Sequence, residues 1–252
     1  MVTLTEAVVD ELDRRYGGVV GPKATVVTTC VDTERFTPMP MGAEPLRILL
    51  AGTLNAYYDV PEMLDLVVEL RRRRPVDFVV AAPESTNWDD RLGVAGATRI
   101  SATSAEMPNL VSGSHVGLGV CHDDAGVSLL AAMPTKLGEF LACGRPVVVN
   151  SGLVDAARLV EEAGAGVAHR AGDDPAGAVD RLEALIDDPD TPRRCRDLAL
   201  AHFDLDPFAE NFSDRFQAMF VDILLKHDAD GFGEYRVEYL PFGHLVAAHQ
   251  IE

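Results

Sequence analysis

Two charged side chains three residues apart raise the first question of chemistry in this chain. In Ala132-Met133-Pro134-Thr135-Lys136-Leu137-Gly138-Glu139-Phe140-Leu141-Ala142-Cys143-Gly144-Arg145-Pro146, Pro134 and Thr135 suit the start of a short helix and Gly144 suits its end. Lys136 and Glu139 then share one helix face. Their spacing admits two readings. One is an i,i+3 ion pair, worth roughly 0.2–0.5 kcal/mol. The other is a ligand pair, in which a cation near a helix start neutralises a phosphate and a carboxylate one turn deeper accepts from a ribose diol. A second candidate is Gly52-Thr53-Leu54, which follows the apolar run Arg47 to Ala51 and precedes a helical pattern. A glycine there lets backbone approach an anion at the start of the helix. This loop has neither G-x-G-x-x-G nor G-K-[ST], which removes the main support for a Rossmann dehydrogenase or a P-loop NTPase.

Other reactive residue types read as structural. His122-Asp123-Asp124 are adjacent, so they cannot all converge on one ion, and no partner pair has ligand spacing; no metal site is expected. His115 and His169 flank apolar runs with no nucleophile or orienting acid beside them in the chain. Gly113-Ser114-His115-Val116-Gly117 lacks the central serine of a nucleophile elbow. Cys30, Cys121, Cys143 and Cys195 are far apart, with no C-x-x-C pair, and read as reduced small apolar residues.

The elements that must position these residues follow from periodicity. Runs at Ala24 to Thr28, Arg47 to Ala51, Val76 to Ala82, Thr98 to Ala102, Val116 to Val120, Pro146 to Asn150 and Gly166 to His169 alternate with helical patterns. This predicts an α/β fold with a Rossmann-like, doubly wound parallel sheet. Ligands bind such sheets beyond the carboxyl ends of the strands, which singles out the loops 52–58, 121–135 and 151–155. The clearest helix follows Asp59: Asp59 and Glu62 have capping-box spacing, Pro61 suits the first turn, and Met63, Leu66, Val67 and Leu70 form one stripe. Arg71 to Arg74 read as its solvated end, not a binding patch. The Pro-rich stretch Thr37 to Pro45 predicts a linker, so that 1–45 is an appendage plus linker and 46–205 an α/β body. Residues 206–227 are expected to form a helix, and 228–252 receive no assignment.

Composition narrows the partners. With 40 Asp plus Glu against 22 Lys plus Arg, the chain carries a formal charge of −18, which disfavours nucleic acid. At 47% hydrophobic and 25% charged residues it can bury a sizeable core. No apolar run approaches the roughly 20 residues of a transmembrane helix, and the amino terminus lacks a basic leader, so a cytoplasmic location is expected, with peripheral membrane contact left open.

Four segments in order carry a family resemblance. Pro134-Thr135-Lys136-Leu137-Gly138-Glu139-Phe140-Leu141-Ala142-Cys143-Gly144-Arg145-Pro146 resembles the donor-binding motif of family 4 glycosyltransferases of GT-B architecture, in the branch with P-T-K-L-x-E-[YF]-L-A-x-G-x-P. Thr28 to Pro38 resembles the P-N-G-V-D-x-x-x-F-x-P junction before the donor domain, and Gly52-Thr53-Leu54-Asn55-Ala56-Tyr57-Tyr58 resembles the G-S-L-x-x-W-Y turn. Val116 to Val120 sits where the family has an aspartate-led strand. The similarity spans about residues 1 to 225.

This resemblance implies a GT-B carboxyl-terminal domain that holds a UDP- or GDP-linked sugar as substrate and transfers the sugar with retention, with no cofactor and generally no metal. The nucleotide-sugar-binding set it implies is Gly52, Thr53, Tyr58, Thr135, Lys136 and Glu139, with Glu139 on the ribose, Gly52 and Lys136 at the pyrophosphate, and Ile100 to Ala102 near the base. It names no catalytic residue. Several positions depart from the pattern. Thr53 and Tyr58 stand where relatives carry the Arg and Lys of the phosphate loop, and Ala131 stands where many carry a glutamate touching the sugar. Cys30 replaces the junction glycine and Thr29 its asparagine. The family's acceptor domain, which should precede a segment like Val2 to Arg15, is expected to be largely absent. An acceptor-domain protein or self-association would complete the cleft. A nucleotide-sugar hydrolase or epimerase of the same architecture, and a degenerate non-catalytic interaction module, are the alternatives.

Overall fold

Leu-Arg-Ile-Leu-Leu-Ala at 46–51 and Val-Asp-Phe-Val-Val-Ala at 76–81 are nearly continuous apolar runs, which suits strands covered by helices on both faces. The computed structural model describes residues 1–40, 42, 44–52, 54, 57–82, 87–205, 235–239 and 245–250, the last two stretches as backbone. The chain divides into two units, Met1–Asp204 and Leu205–Glu252. The first begins with β1 (Val2–Thr3), α1 (Glu6–Tyr16) and β2 (Thr25–Val26). Then come β3 (Leu46–Ala51), α2 (Val60–Arg73), β4 (Val76–Ala81), α3 (Asp89–Val94), β5 (Thr98–Ile100), α4 (Met107–Ser112) and β6 (Val116–Gly119). It closes with α5 (Val127–Leu130), α6 (Thr135–Ala142), β7 (Val147–Asn150), α7 (Val154–Glu162), β8 (Gly166–His169), α8 (Pro175–Asp187) and α9 (Thr191–His202).

Strands β3 to β8 form one parallel sheet in the order β5-β4-β3-β6-β7-β8. The chain winds outward from β3 to β5, returns to pair β6 beside β3, and winds outward the other way. This is the doubly wound order that the sequence predicts, with its switch point between β3 and β6. Side chains alternate between two cores. Leu46, Ile48 and Leu50 pack with Leu66 and Leu70 of α2 and Leu182 of α8. Leu49 and Ala51 pack on the other face with Phe140 and Leu141 of α6, Ala156 and Val160 of α7 and Cys195 of α9. Burying each such Leu or Val contributes roughly 1.5–3 kcal/mol relative to leaving it exposed.

Two glycines let layers approach closely. A Cβ on Gly117 of β6 would lie 2.5 Å from the Phe140 ring, and one on Gly138 of α6 would lie 2.6 Å from Val31 Cγ2 and 3.2 Å from Phe203 Cβ. The junction segment thus seats itself on α6 through Gly138. It is fixed further by Val31 N donating to Phe203 O (2.7 Å) and by Arg196 of α9, which donates to Phe36 O, Thr33 O and Ala142 O.

Some local expectations change in three dimensions. The run Ala24 to Thr28 does not join the main sheet: Thr25 and Val26 pair in parallel with Val2 and Thr3 as a separate two-stranded sheet. Asp59 caps α2, its Oδ1 accepting from Glu62 N (3.2 Å), but only half of the capping box forms, because the Glu62 carboxylate turns to His169 and Gly172. Arg73 pairs with Glu69, Asp180 and Glu183, and Arg74 with Glu44 and Asp187, so the basic run ties α2 to α8 at the surface. The linker is held at the amino-terminal edge of the sheet. Buried Arg145 donates to Met39 O (2.6 Å) and Ser112 O, and His115 Nε2 donates to Gly42 O (3.0 Å) while its Nδ1 accepts from Arg47 N (2.9 Å). The helix expected at 206–227 lies outside the described residues. In the second unit, β9 (Tyr235–Tyr239) and β10 (Leu245–Gln250) pair antiparallel, with a register shift between Leu245 and Ala247.

Replacing Gly138 with Ala should lower unfolding stability by about 1–3 kcal/mol through overpacking against Val31 and Phe203. Gly177→Ala, on a stretch of α8 where a new Cβ meets nothing within 4 Å, should instead raise it by about 0.4–1 kcal/mol. Urea denaturation of the two variants against the parent checks both signs.

Candidate functional site

At the switch point the two carboxyl-edge loops are stitched together. Tyr58 and Cys121 form an isolated antiparallel bridge, with Asp59 N donating to Val120 O and His122 N to Tyr57 O, each at 3.0 Å. Gly52, just beyond β3, holds φ at 134°, a conformation that a side chain would strain. Its N donates to Ala81 O (2.9 Å), and the Tyr58 hydroxyl lies 3.9 Å from where a Cβ would stand. Tyr57 and Tyr58 meet edge to face, ring centroids 6.3 Å apart. Burial, and then the neighbouring Cys121, raises the Tyr58 hydroxyl above its ordinary range and takes that of Tyr57 to about 12, so both remain protonated donors at neutral pH.

Helix α6 begins at the same crevice. Pro134 precedes it and no side chain caps it, whereas Asp59 caps α2 and Asp174 caps α8. Its first-turn amides and positive dipole end therefore suit an anion. Lys136 Nζ lies 2.8 Å from Glu139 Oε2, with the lysine side chain 37% exposed and the glutamate 12%. The ion pair allowed by the spacing is formed, at the start of this helix.

A cavity of about 290 Å³ opens beside this pair. Tyr58 and Lys136 line it together with Ala51, Cys121, Met133 and Leu4. Of the residues singled out from sequence, Tyr58 and Lys136 thus share one wall, Gly52 lies under Tyr58, and Glu139 joins through Lys136 without lining the cavity. Thr135 is exposed at the first position of α6, and Thr53 lies outside the described residues.

Three polar groups at this edge escape a reading by spacing. Asn150, fully buried at the end of β7, donates from Nδ2 to Cys121 O (2.8 Å) and Asp123 Oδ1 (2.9 Å), while its Oδ1 accepts from Gly152 N (2.6 Å). An amide ending the run Val147-Val148-Val149 is the one signal that could have marked it. His169 does have an acid beside it, supplied from the distant α2: its Nε2 donates to Glu62 Oε1 at 2.6 Å. Asp155 accepts from Glu6 N (2.6 Å) and Ala7 N (3.2 Å), seating the start of α1 on this edge. The run His122-Asp123-Asp124 braces the loop, with His122 Nδ1 3.1 Å from Asp59 Oδ2. Cys121, Cys143 and Cys195 are buried, and desolvation pushes each thiol up to about 12.

No protein-family model and no curated protein matches the chain in sequence. Solved structures are similar to it in fold. The C-terminal domain of the glycosyl transferase group 1 family protein LpcC from Francisella tularensis is 17% identical, and the match covers 70% of this chain and 100% of that domain at a TM-score of 0.51. A glycosyltransferase from Rickettsia africae is 13% identical over 87% of this chain, at a TM-score of 0.70. HepE from Anabaena, solved with UDP-glucose, is 12% identical over 86% of this chain, at a TM-score of 0.64. The chain spans 63% of the length of each of these last two proteins. Its fold is that of a GT-B carboxyl-terminal domain.

Asn150→Ala should strip the edge of a brace shared by three groups and cost about 2–4 kcal/mol, since buried partners are left unpaired. Chemical denaturation measures the loss, and an unchanged midpoint would show that the loops hold without it.

Proposed function

We propose that this chain is the donor-binding part of a retaining glycosyltransferase, which holds a UDP- or GDP-linked sugar at the β3/β6 crevice for transfer to an acceptor on a second domain. The observation that carries the reading is Lys136 paired with Glu139 at the uncapped start of α6, beside Gly52 and Tyr58. A nucleoside diphosphate exploits all of these features at once. Its ribose hydroxyls replace the lysine as donors to Glu139, and its diphosphate takes the freed Lys136 ammonium and the first amides of α6. Gly52 admits backbone to close range, and the Tyr58 hydroxyl above it supplies a further donor.

As the bond from sugar to diphosphate breaks, negative charge grows on the leaving group. A fixed cation and helix start aimed at it stabilise the transition state more than the ground state. HepE, bound to UDP-glucose in its crystal structure, supports the choice of ligand class. The exposed apolar side chains Met1, Val2, Leu4, Tyr16 and Val19 support an acceptor-domain protein or a second copy as partner. Hydrolysis or epimerisation of the same donors would need acid and base groups from such a partner too.

Titration calorimetry with UDP, GDP and their bare nucleosides tests the site. Lys136→Met should weaken the diphosphates by about 1.5–3 kcal/mol, or roughly ten- to a hundredfold, and leave the nucleosides nearly unchanged. Glu139→Ala should weaken both classes. Small and equal effects would reduce the pair to a surface ion pair of the helix.

Transfer itself requires acceptor and donor to be oriented together, which is worth about 7–11 kcal/mol of barrier. Labelled donor should turn over slowly with the chain alone and at least a hundredfold faster, in rough terms, once an acceptor domain is added. Rapid transfer by a monomer of this chain would contradict the reading.

A further inference from the structure

The cavity beside Lys136 has a wall unlike that expected for a hexose. Among the described residues that line it, the side-chain heteroatoms are the hydroxyls of Tyr57 and Tyr58, the Lys136 ammonium, the Cys121 thiol and the Met133 thioether. Several of these are already engaged or weak. In the reading above Lys136 is taken by the diphosphate, the Tyr57 hydroxyl reaches Ser128 O at 3.5 Å, and sulfur is a poor partner for a hydroxyl. The remaining side-chain surface is hydrocarbon, Leu4, Ala132, Leu137 and Phe140 among it.

Order along the crevice says which part of a donor would meet this wall. Glu139, the ribose partner in the reading above, does not line the cavity, whereas Lys136, the phosphate partner, does. Beyond the diphosphate, on the side away from the ribose, comes the sugar. At about 290 Å³ the cavity is near the lower bound of small-ligand pockets, a size for one sugar ring.

We propose that the sugar this chain selects is a deoxyhexose, in which at least one ring or exocyclic hydroxyl is replaced by hydrogen. The inference rests on the nucleotide-sugar reading and adds the substrate class. A hydroxyl pressed on hydrocarbon gives up its water without a replacement partner, whereas a C–H or methyl group gains contact there. An apolar wall discriminates against one added hydroxyl by about ten- to a hundredfold.

Calorimetry on the full chain tests this in two steps. UDP and GDP alone come first. On the base that binds more tightly, the parent sugar nucleotide (UDP-glucose or GDP-mannose) is then compared with its 2-, 3-, 4- and 6-deoxy analogues. The expected result is that at least one analogue binds about ten- to a hundredfold more tightly than the parent. If the nucleoside diphosphate binds but every analogue is equal to or weaker than the parent, the deoxyhexose assignment falls while the nucleotide reading stands. If neither diphosphate binds, both fall. Leu4→Asn and Ala132→Ser, at a lining residue 40% exposed and a half-buried one, place partners for a hydroxyl in the wall. Each should shrink the preference for the analogue by roughly tenfold, and an unchanged preference in both would overturn the assignment.

Discussion

Because β3 to β8 all run parallel, every connection must cross a face of the sheet, and the two winding directions part between β3 and β6. At that parting no crossover helix covers the carboxyl edge. The loops leaving β3 and β6 are neighbours in space though about seventy residues apart in sequence. What fixes them is the Tyr58–Cys121 bridge. Asp59 works both sides of it: its side chain caps α2 and meets His122, while its own N–H bonds Val120 O. Asn150 then ties Cys121 O and Asp123 to Gly152 of the next loop. The position of Lys136 relative to Tyr58 and Gly52 depends on this sequence of bonds, since α6 follows directly from the braced loop.

The opposite edge does different work. There, among the described residues, Arg145 donates to backbone carbonyls, and burial lowers the pKa of its guanidinium below the ordinary value. A buried cation without a carboxylate costs desolvation that its carbonyl partners must offset. In return the linker and α4 are fixed beneath β7. His115 does the same between Gly42 and Arg47, in the tautomer with its proton on Nε2. The amino-terminal edge thus closes the fold, and the carboxyl edge stays available for ligand. Gly144 and Arg145, which follow Glu139 in one short motif, belong to this edge, while Lys136 lines the cavity at the other and Glu139 pairs with it.

This division explains what was legible in the sequence. The strand runs were readable because both faces are buried, so their apolar character is continuous, and the α2 stripe was readable because one face packs on the sheet. The Lys136–Glu139 pair was readable because i,i+3 neighbours meet on any helix. Groups that meet only through topology were not. Nothing near His169 announces Glu62 of α2, and nothing near Glu6 announces Asp155. Glu62 also shows why the capping box was half right: a carboxylate that could reach back to its own N-cap found a buried imidazole and the Gly172 amide. Ala24 to Thr28 has the composition of a sheet strand, and only the position of Val2 and Thr3 decides that it pairs elsewhere.

That small pair, β1 and β2, raises a question of stability that the carboxyl edge answers. Two parallel strands of two residues each cannot stand alone in water, since parallel pairs need cover on both faces. Here the cover comes from docking the start of α1 on the body. Asp155 accepts from the first amides of α1 while sitting in the first turn of α7, so one carboxylate serves two helix starts. Thr5 donates to Leu130 O and is itself buried. The same docking brings Leu4 into the lining of the cavity, with Tyr57 and Met133. Leu4 is therefore part of the cavity wall. Any partner that engages the exposed Met1 and Val2 near it would bear directly on the site.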